Sequence, residues 1–159
     1  MGKIKNQYLY TENTFYHIYN RGNDKRLIFL DTRDYARFIT NIKKYEKGYG
    51  LIVYAYCLMP NHYHMLIQLG SNKGDISKFM HQCMTAYSMY FNKKYDRVGR
   101  ICQSPFQASR LPTIKSIVKI FEYIKDNPVK AGLVKASEDY RWLDISLEQP
   151  KCILEVKEK

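Results

Sequence analysis

Residues 51–69 read LIVYAYCLM-PN-HYHMLIQL, and this stretch decides the fold. Its first nine residues form a continuous apolar run of strand length. Pro60 and Asn61 form a turn signal, and a second run of strand length follows them directly. Two strands joined by so short a turn pair antiparallel. The sequence therefore predicts a β-hairpin at the centre of an antiparallel sheet.

The segments on either side of this hairpin extend the pattern. Helical or alternating spacing of apolar residues and turn signals define each segment. The order β-α-β-β-α-(ββ)-α predicts an α+β fold in which helices pack on one face of an antiparallel sheet. The further predicted elements are a strand at 14–20, a helix from Asp31 to about Lys47, a long helix at about 75–94, a basic hairpin within 97–112, and a last helix from Ile114 to about Asp126, ahead of Pro128 and Gly132.

The length of 159 residues fits a single domain, 1–159, with a core at about 14–143. The first ten or so residues and the tail after about Pro150 are expected to be loose. The sequence has no apolar run long enough to cross a membrane and no secretory signal, which predicts a cytoplasmic protein without a membrane partner. None of the four cysteines forms a C-x-x-C pair, which favours ordinary reduced thiols; they are Cys57, Cys83, Cys102 and Cys152.

The charge of the chain points to a polyanionic partner. The formal net charge is +11 at pH 7. Nucleic acid is the first candidate, because neutralising phosphates gives affinity without sequence preference. On charge alone, an anionic membrane surface is the second candidate, and a small basic protein that binds no polyanion is the alternative.

Two histidines follow the central turn at a spacing of two residues. Side chains alternate across a strand, so His62 and His64 project from one face, while the apolar residues Tyr63, Met65, Ile67 and Leu69 project from the other. Two neighbouring imidazoles can bind a metal ion, and a pair of surface histidines is the alternative. His17 in the first strand can approach this pair if the strands are neighbours.

The last helix carries a tyrosine outside its core stripe. Ile114, Ile117, Val118, Phe121 and Ile124 form that stripe. Tyr123 falls roughly opposite it, with Lys119 one turn earlier, Asn127 one turn later, and Lys115 at the edge of the same face. A tyrosine hydroxyl there can attack a phosphodiester and form a phosphotyrosine ester. The alternative is a surface tyrosine, in a chain that has fifteen tyrosines.

Three segments of the chain resemble the single-tyrosine HUH transposase family. They are YHIYNRGNDKRLIF (16–29), VYAYCLMPNHYHMLIQ (53–68) and EYIKDNPVKAGLV (122–134). The segment MPNHYHMLI matches the His-hydrophobic-His motif of the family. The segment NPVKAG is more similar to the REP-associated tyrosine transposases of the family than to its shorter insertion-sequence transposases. The resemblance spans roughly residues 14–143.

This resemblance implies a fold, a reaction and a set of site residues. The fold would be a ferredoxin-like or RNA-recognition-like sheet. His62, His64 and Asn127 would hold Mg²⁺ or Mn²⁺, and Tyr123 would be the nucleophile that takes a 5′-phosphate. The substrate would be single-stranded DNA, often with a hairpin near the cleavage site. Family members act as monomers or as dimers, so a homodimer is possible.

Several further polar residues are candidates for DNA contact. Each could instead be an ordinary solvated side chain. They are Arg21, Asn23, Lys93, Lys94, Arg97, Arg100, Arg110, Lys115 and Lys119.

Two other functions fit parts of the sequence. The first is a non-catalytic module that binds single-stranded nucleic acid on an open, aromatic sheet face. The second is a zinc hydrolase that uses His62 and His64, for which Cys57 or His17 would have to supply the third ligand.

Overall fold

The computed structural model describes residues 13–70 and 74–145. Within these ranges it has five strands and three α-helices. They are β1 (Phe15–Arg21), α1 (Thr32–Tyr45), β2 (Leu51–Met59), β3 (His62–Leu69), α2 (Ile76–Lys94), β4 (Gln107–Leu111), α3 (Ile114–Lys130) and β5 (Leu143–Asp144). The expected loose first ten residues, the tail after Pro150 and Cys152 lie outside the described residues.

The strands form one sheet in the order β4-β1-β3-β2-β5, and every neighbouring pair is antiparallel. The first four strands with α1 and α2 follow the β-α-β-β-α-β connectivity of ferredoxin-like folds. The predicted α+β class, with an antiparallel sheet of ferredoxin-like type, is confirmed.

The central hairpin forms as the sequence predicts. Met59 pairs with His62 across the turn, and Leu51 pairs with Leu69 at the far end. The turn is docked on the segment that follows β1, because the Gly22 N–H donates to the Asn61 carbonyl at 2.8 Å and the Ile28 N–H donates to the Pro60 carbonyl at 2.8 Å. This docking fixes the end of the sheet at which His62 lies.

One face of the sheet is covered by α1 and α2. Asp31 caps α1, and its carboxylate accepts from the backbone N–H groups of Arg33 and Asp34. The side chains that fill this layer are buried and largely apolar, and the removal of their apolar surface from water stabilises the fold. They include Ile18, Tyr63 and Met65 from the sheet, Phe38 and Ile42 from α1, and Phe79, Tyr87 and Phe91 from α2.

The opposite face is covered by α3, so the expectation that the helices share one face is wrong for this helix. Phe121 and Ile124 of α3 pack with Ala55 and Cys57 of β2 and with Leu66 of β3. The physical reason is present in β2, which is apolar on both faces along its length. A strand of this kind is stable only when both faces are covered.

α3 is also longer than the sequence predicts, because it continues through Pro128 to Lys130. Pro128 lacks the N–H that would bond the carbonyl of Ile124. The helix end is closed beyond it, since the Ala131 N–H donates to the Asn127 carbonyl at 3.0 Å. Gly132 then takes a φ of 72°, which lets the chain leave the helix.

The predicted basic hairpin within 97–112 does not form. Only Gln107–Leu111 is a strand, and it pairs with β1 rather than with a strand of its own segment. A single bridge joins Gly22 to Cys102. Pro105 and the left-handed Gly99 (φ 88°) interrupt the stretch that would have been the first arm. Among the described helices, none is long and apolar enough to span a membrane.

Candidate active site

The predicted site residues meet between the sheet and α3. His62 lies opposite Arg21 and His64 lies opposite Tyr19 in the pairing of β1 with β3. The ring centroids of His62 and His64 are 5.1 Å apart. The Tyr123 ring centroid is 5.2 Å from that of His64.

Asn127 joins this group one helical turn after Tyr123. Its Oδ1 lies 3.4 Å from His62 Nε2. The buried Phe121 and Ile124 anchor α3 on the sheet. Their burial turns Tyr123 towards the rim, where its side chain is 38% exposed. The phenol therefore faces both the histidines and solvent.

The His62 ring lies between two amide oxygen atoms. Its Nδ1 lies 2.6 Å from Asn61 Oδ1, and its Nε2 faces Asn127. Burial lowers the pKa of His62; the positive charge of Arg21 adds to this effect, and the contact with Asn127 opposes it.

The His64 ring is buried and contacts a third histidine. His64 Nδ1 lies 3.0 Å from His17 Nε2. Burial lowers the pKa of His64 to about 3, with smaller contributions from His17, His62 and Arg21. Burial also lowers the pKa of His17 to about 4. The imidazoles are therefore neutral near pH 7, which is the form that binds metals.

The donor set fits a divalent metal of the kind that the family resemblance implies. Asn61 Oδ1 can accept from an N–H at His62 Nδ1, and in that tautomer the lone pair of His62 Nε2 faces Asn127 Oδ1, itself an acceptor. A cation between these two electron-rich atoms would satisfy both. In residues 13–70 and 74–145, no three His, Cys, Asp or Glu side chains form a metal-binding group. An amide oxygen is thus the third protein donor at hand, and mixed nitrogen and oxygen donors with water suit Mg²⁺ or Mn²⁺.

The predicted DNA-contact residues differ in their distance from this site. Arg21 is close enough to lower the pKa of both His62 and His64. Arg110 pairs with Tyr16 rather than with His17. Since side chains alternate, Arg110 lies on the α1 and α2 side of the sheet.

Lys94 already has partners in the described structure. Its Nζ lies 2.7 Å from Asp31 Oδ2 and 2.8 Å from Asp34 Oδ1. These two carboxylates neutralise the charge of Lys94, which the sequence predicted to contact DNA. The ion pairs also join α2 to the N-terminal end of α1. Lys93 beside Lys94 is exposed.

The remaining candidates lie on two surfaces. Lys115 and Lys119 are exposed on α3. Asn23 is tied to the segment that follows α2, because its N–H donates to the Ile101 carbonyl at 2.8 Å. Arg100 directly precedes Ile101, so its backbone lies towards the end of the sheet that carries Arg21. The Arg97 guanidinium instead lies 5.6 Å from the Phe91 ring centroid of α2.

Three residues near the site were missed by sequence analysis. Asn61 was interpreted only as a turn residue, although it directly precedes His62. The Tyr19 ring centroid lies 4.8 Å from that of His17. Strand alternation alone indicates this contact, because the two residues are two positions apart on β1. Lys130 Nζ lies 5.9 Å from the Tyr123 ring centroid, and its position seven residues after Tyr123, two helical turns, is the signal that could have found it.

Comparison with known proteins identifies the family. The profile of the family described as "Transposase IS200 like" matches residues 10–127. No curated protein matches the chain.

Among solved structures, a REP-associated tyrosine transposase bound to a REP hairpin matches with a TM-score of 0.74 at 21% identity, covering 90% of this chain and 82% of that one. A candidate transposase from Deinococcus radiodurans R1 matches with a TM-score of 0.52 at 15% identity, covering 79% and 97%. The tRNA(His) guanylyltransferase from Saccharomyces cerevisiae matches with a TM-score of 0.53 at 10% identity, covering 85% and 73%. At these identities the likeness shows a shared fold. Because the family profile covers most of the chain, this protein belongs to the IS200-like transposase family, whose members are DNA-cleaving enzymes.

Proposed function

We propose that this transposase nicks and rejoins single-stranded DNA through a covalent 5′-phosphotyrosine on Tyr123. His62, His64 and Asn127 would hold the divalent metal, Mg²⁺ or Mn²⁺. The observation that carries this proposal is the convergence of an accessible phenol with two neutral imidazoles, at 5.2 Å between the ring centroids of Tyr123 and His64.

The reaction consists of two exchanges at one phosphorus atom. The Tyr123 oxygen attacks, the bond from phosphorus to the 3′-oxygen breaks, and the departing 3′-hydroxyl gains a proton while the phenol loses one to solvent. The phosphotyrosine ester keeps the energy of the broken bond, so another 3′-hydroxyl can reverse the step without ATP. When bound, the divalent metal polarises the scissile phosphate.

Residues of the chain supply the positioning and the remaining charge. Arg21 adds positive charge beside the two histidines, where the phosphate would lie. The firm packing of α3 through Phe121 and Ile124 holds the Tyr123 oxygen at the rim, and a fixed position of the nucleophile lowers the barrier.

The substrate that fits best is single-stranded DNA next to a hairpin. The REP-associated relative was solved with a REP hairpin, and its fold extends over 90% of this chain. Arg21 and Arg100 place positive charge at the end of the sheet near His62, where a DNA backbone would be attracted. One copy of the chain holds all the proposed groups, which favours attack by the tyrosine of the same subunit; a homodimer is not required for this chemistry.

Two competing functions are less well supported. A binding module of the RNA-recognition type needs an open sheet face, whereas α3 covers the face that carries the histidines. A zinc hydrolase needs a third protein ligand. Cys57 is buried with its Sγ 3.5 Å from Met59 Sδ, and burial raises the pKa of its thiol to about 12, which disfavours the thiolate.

A covalent-capture experiment tests the proposal. Single-stranded DNA with candidate hairpins from beside the gene is labelled at its 3′ end and incubated with the protein and Mn²⁺ or EDTA. We expect a protein–DNA band on a denaturing gel with Mn²⁺ and none with EDTA. Tyr123→Phe should abolish the band, and Tyr45→Phe on α1 should keep it. Specific binding without any adduct would refute the proposed chemistry.

A further inference from the structure

Two side chains outside the proposed ligand set contact the proposed ligands. Asn61 Oδ1 lies 2.6 Å from His62 Nδ1, and His17 Nε2 lies 3.0 Å from His64 Nδ1. Both contacts are made to the same ring nitrogen, Nδ1. The two partners come from different elements, the β2–β3 turn and β1, so the agreement is not a consequence of local sequence.

The tautomer of each histidine decides which nitrogen can bind a metal. A neutral imidazole carries one N–H, and its other nitrogen keeps a lone pair. If Nδ1 is the donor, Nε2 is free to act as a ligand. A partner that can only accept at Nδ1 therefore selects Nε2 as the ligand atom.

Asn61 is oriented so that it can only accept from His62. Its Nδ2 donates to the Lys25 carbonyl at 3.3 Å, which turns Oδ1 towards the imidazole. The backbone is fixed as well, because the Asn61 carbonyl accepts from the Gly22 N–H. His62 must then carry its proton on Nδ1, and its Nε2 lone pair faces Asn127.

His17 faces His64 Nδ1 from the neighbouring strand, and its Nε2 accepts there when the His17 proton is on Nδ1. It is only 7% exposed, and its ring stacks on His64 with centroids 5.1 Å apart and planes 23° apart. Tyr19 packs against His17, with ring centroids 4.8 Å apart. These contacts restrict the rotation of the His17 ring and keep its Nε2 directed at His64.

We propose that Asn61 and His17 are positioning residues that hold His62 and His64 as Nδ1–H tautomers and so direct both Nε2 lone pairs to the metal. This inference rests on the proposed function, since it takes His62 and His64 as the ligands. Partners of this kind commonly change metal affinity by about 10- to 100-fold when they are removed.

The tautomers can be measured directly by ¹⁵N NMR on the metal-free wild-type protein, with its histidines labelled. We expect the spectra at neutral pH to show His62 and His64 with the proton on Nδ1. Either ring with its proton on Nε2 would overturn the inference for that pair. This measurement requires no variant and decides the question even where a substitution prevents folding.

Substitutions then test the consequence for metal binding. Asn61→Ala and His17→Phe remove the acceptors, and we expect each to weaken the Mn²⁺ affinity, measured by EPR titration, by about 10- to 100-fold. Cleavage at saturating Mn²⁺ should stay near the wild-type rate. Asn61→Asp keeps an acceptor at Oδ1 and should recover most of the affinity. His81→Ala, at an exposed histidine on α2, is the matched control.

The outcomes separate this inference from the proposed function. If His62→Ala and His64→Ala leave the Mn²⁺ affinity unchanged, the proposed metal site itself is wrong. If those variants lose binding while Asn61→Ala and His17→Phe bind as the wild type does, the metal site stands and the positioning role is refuted.

Discussion

The two faces of the sheet are built from the same strands but have opposite characters. Tyr63 and Met65 of β3 enter a buried apolar layer beneath α1 and α2. Their immediate neighbours His62 and His64 face α3 among polar groups. Because successive side chains of a strand point to opposite faces, β3 supplies core residues to one face of the sheet and site residues to the other. Substitutions one residue apart should therefore fail in different ways.

Along β3, the largest expected effect on chemistry is at His64. His64→Ala removes a proposed metal ligand, and we expect DNA cleavage to fall by about 10³-fold, the order of losing a main source of charge stabilisation. The free energy of unfolding should fall by no more than about 2 kcal/mol, as for an ordinary substitution. Single-turnover cleavage and urea denaturation measure the two quantities. Full activity with a large loss of stability would reverse the assignment of the faces.

The largest expected effect on stability is on the other face. Phe38 is fully buried beneath the sheet, in contact with Tyr63 and Tyr87. Phe38→Ala should lower the free energy of unfolding by about 3–5 kcal/mol through lost burial and a residual cavity. Below its melting temperature, the variant should still form the covalent adduct. Phe38→Leu is the control and should cost less than Phe38→Ala. A stable Phe38→Ala variant that had lost cleavage would contradict this division.

A smaller effect is expected at the ion pairs between α1 and α2. Burial opposes ionisation of Asp34, but hydrogen bonds from Lys94, the Leu30 N–H and Tyr95 keep its pKa below the ordinary value of 3.8. A lowered pKa contributes stability that is fully present above the unfolded value and lost as the pH falls through the folded value.

Lys94→Met should therefore lower the melting temperature at pH 7, and it should flatten the loss of stability below pH about 4. Thermal melts from pH 2 to 7 measure both changes. Cleavage at 20 °C should be unaffected, because Lys94 is bound to Asp31 and Asp34. A loss of DNA affinity at unchanged stability would instead support the DNA contact predicted from the sequence.

The smallest expected effect is at Arg21, on the face that carries the site. Arg21→Gln removes one positive charge near the proposed phosphate position. DNA affinity should weaken about equally for all sequences, and the slope of log affinity against log salt should decrease by about 1. Fluorescence anisotropy titrations at several salt concentrations measure this slope. Arg110→Gln, on the other side of the sheet, is the matched control; an equal change there would show that proximity to the histidines does not matter.

The central part of the fold and of the site could be predicted because it depends on local spacing. The turn at Pro60-Asn61 fixes the hairpin, and alternation places His62 and His64 on one face. The position of Tyr123 follows from helical periodicity. Each of these inferences needs only a few consecutive residues and one known period.

The parts that could not be predicted depend on pairing between distant segments. The register of β1 with β4 places Arg110 opposite Tyr16 and away from the site. The contact of Asn61 with His62 depends on a hydrogen bond to Lys25, which fixes the orientation of the amide. Pro128 normally signals the end of a helix, yet its ring is buried and α3 continues to Lys130. The apolar run of β2, by contrast, already indicates in the sequence that both faces of this strand are covered.

The most direct test of the central claim is to identify the residue that carries the DNA. The protein is trapped with single-stranded substrate and Mn²⁺, digested with trypsin and nuclease, and analysed by mass spectrometry. We expect a nucleotide 5′-phosphate on Tyr123 in the peptide of residues 120–125, which lies between the cleavage sites at Lys119 and Lys125. A nucleotide on any other residue, or joined through a 3′-phosphate, would contradict it.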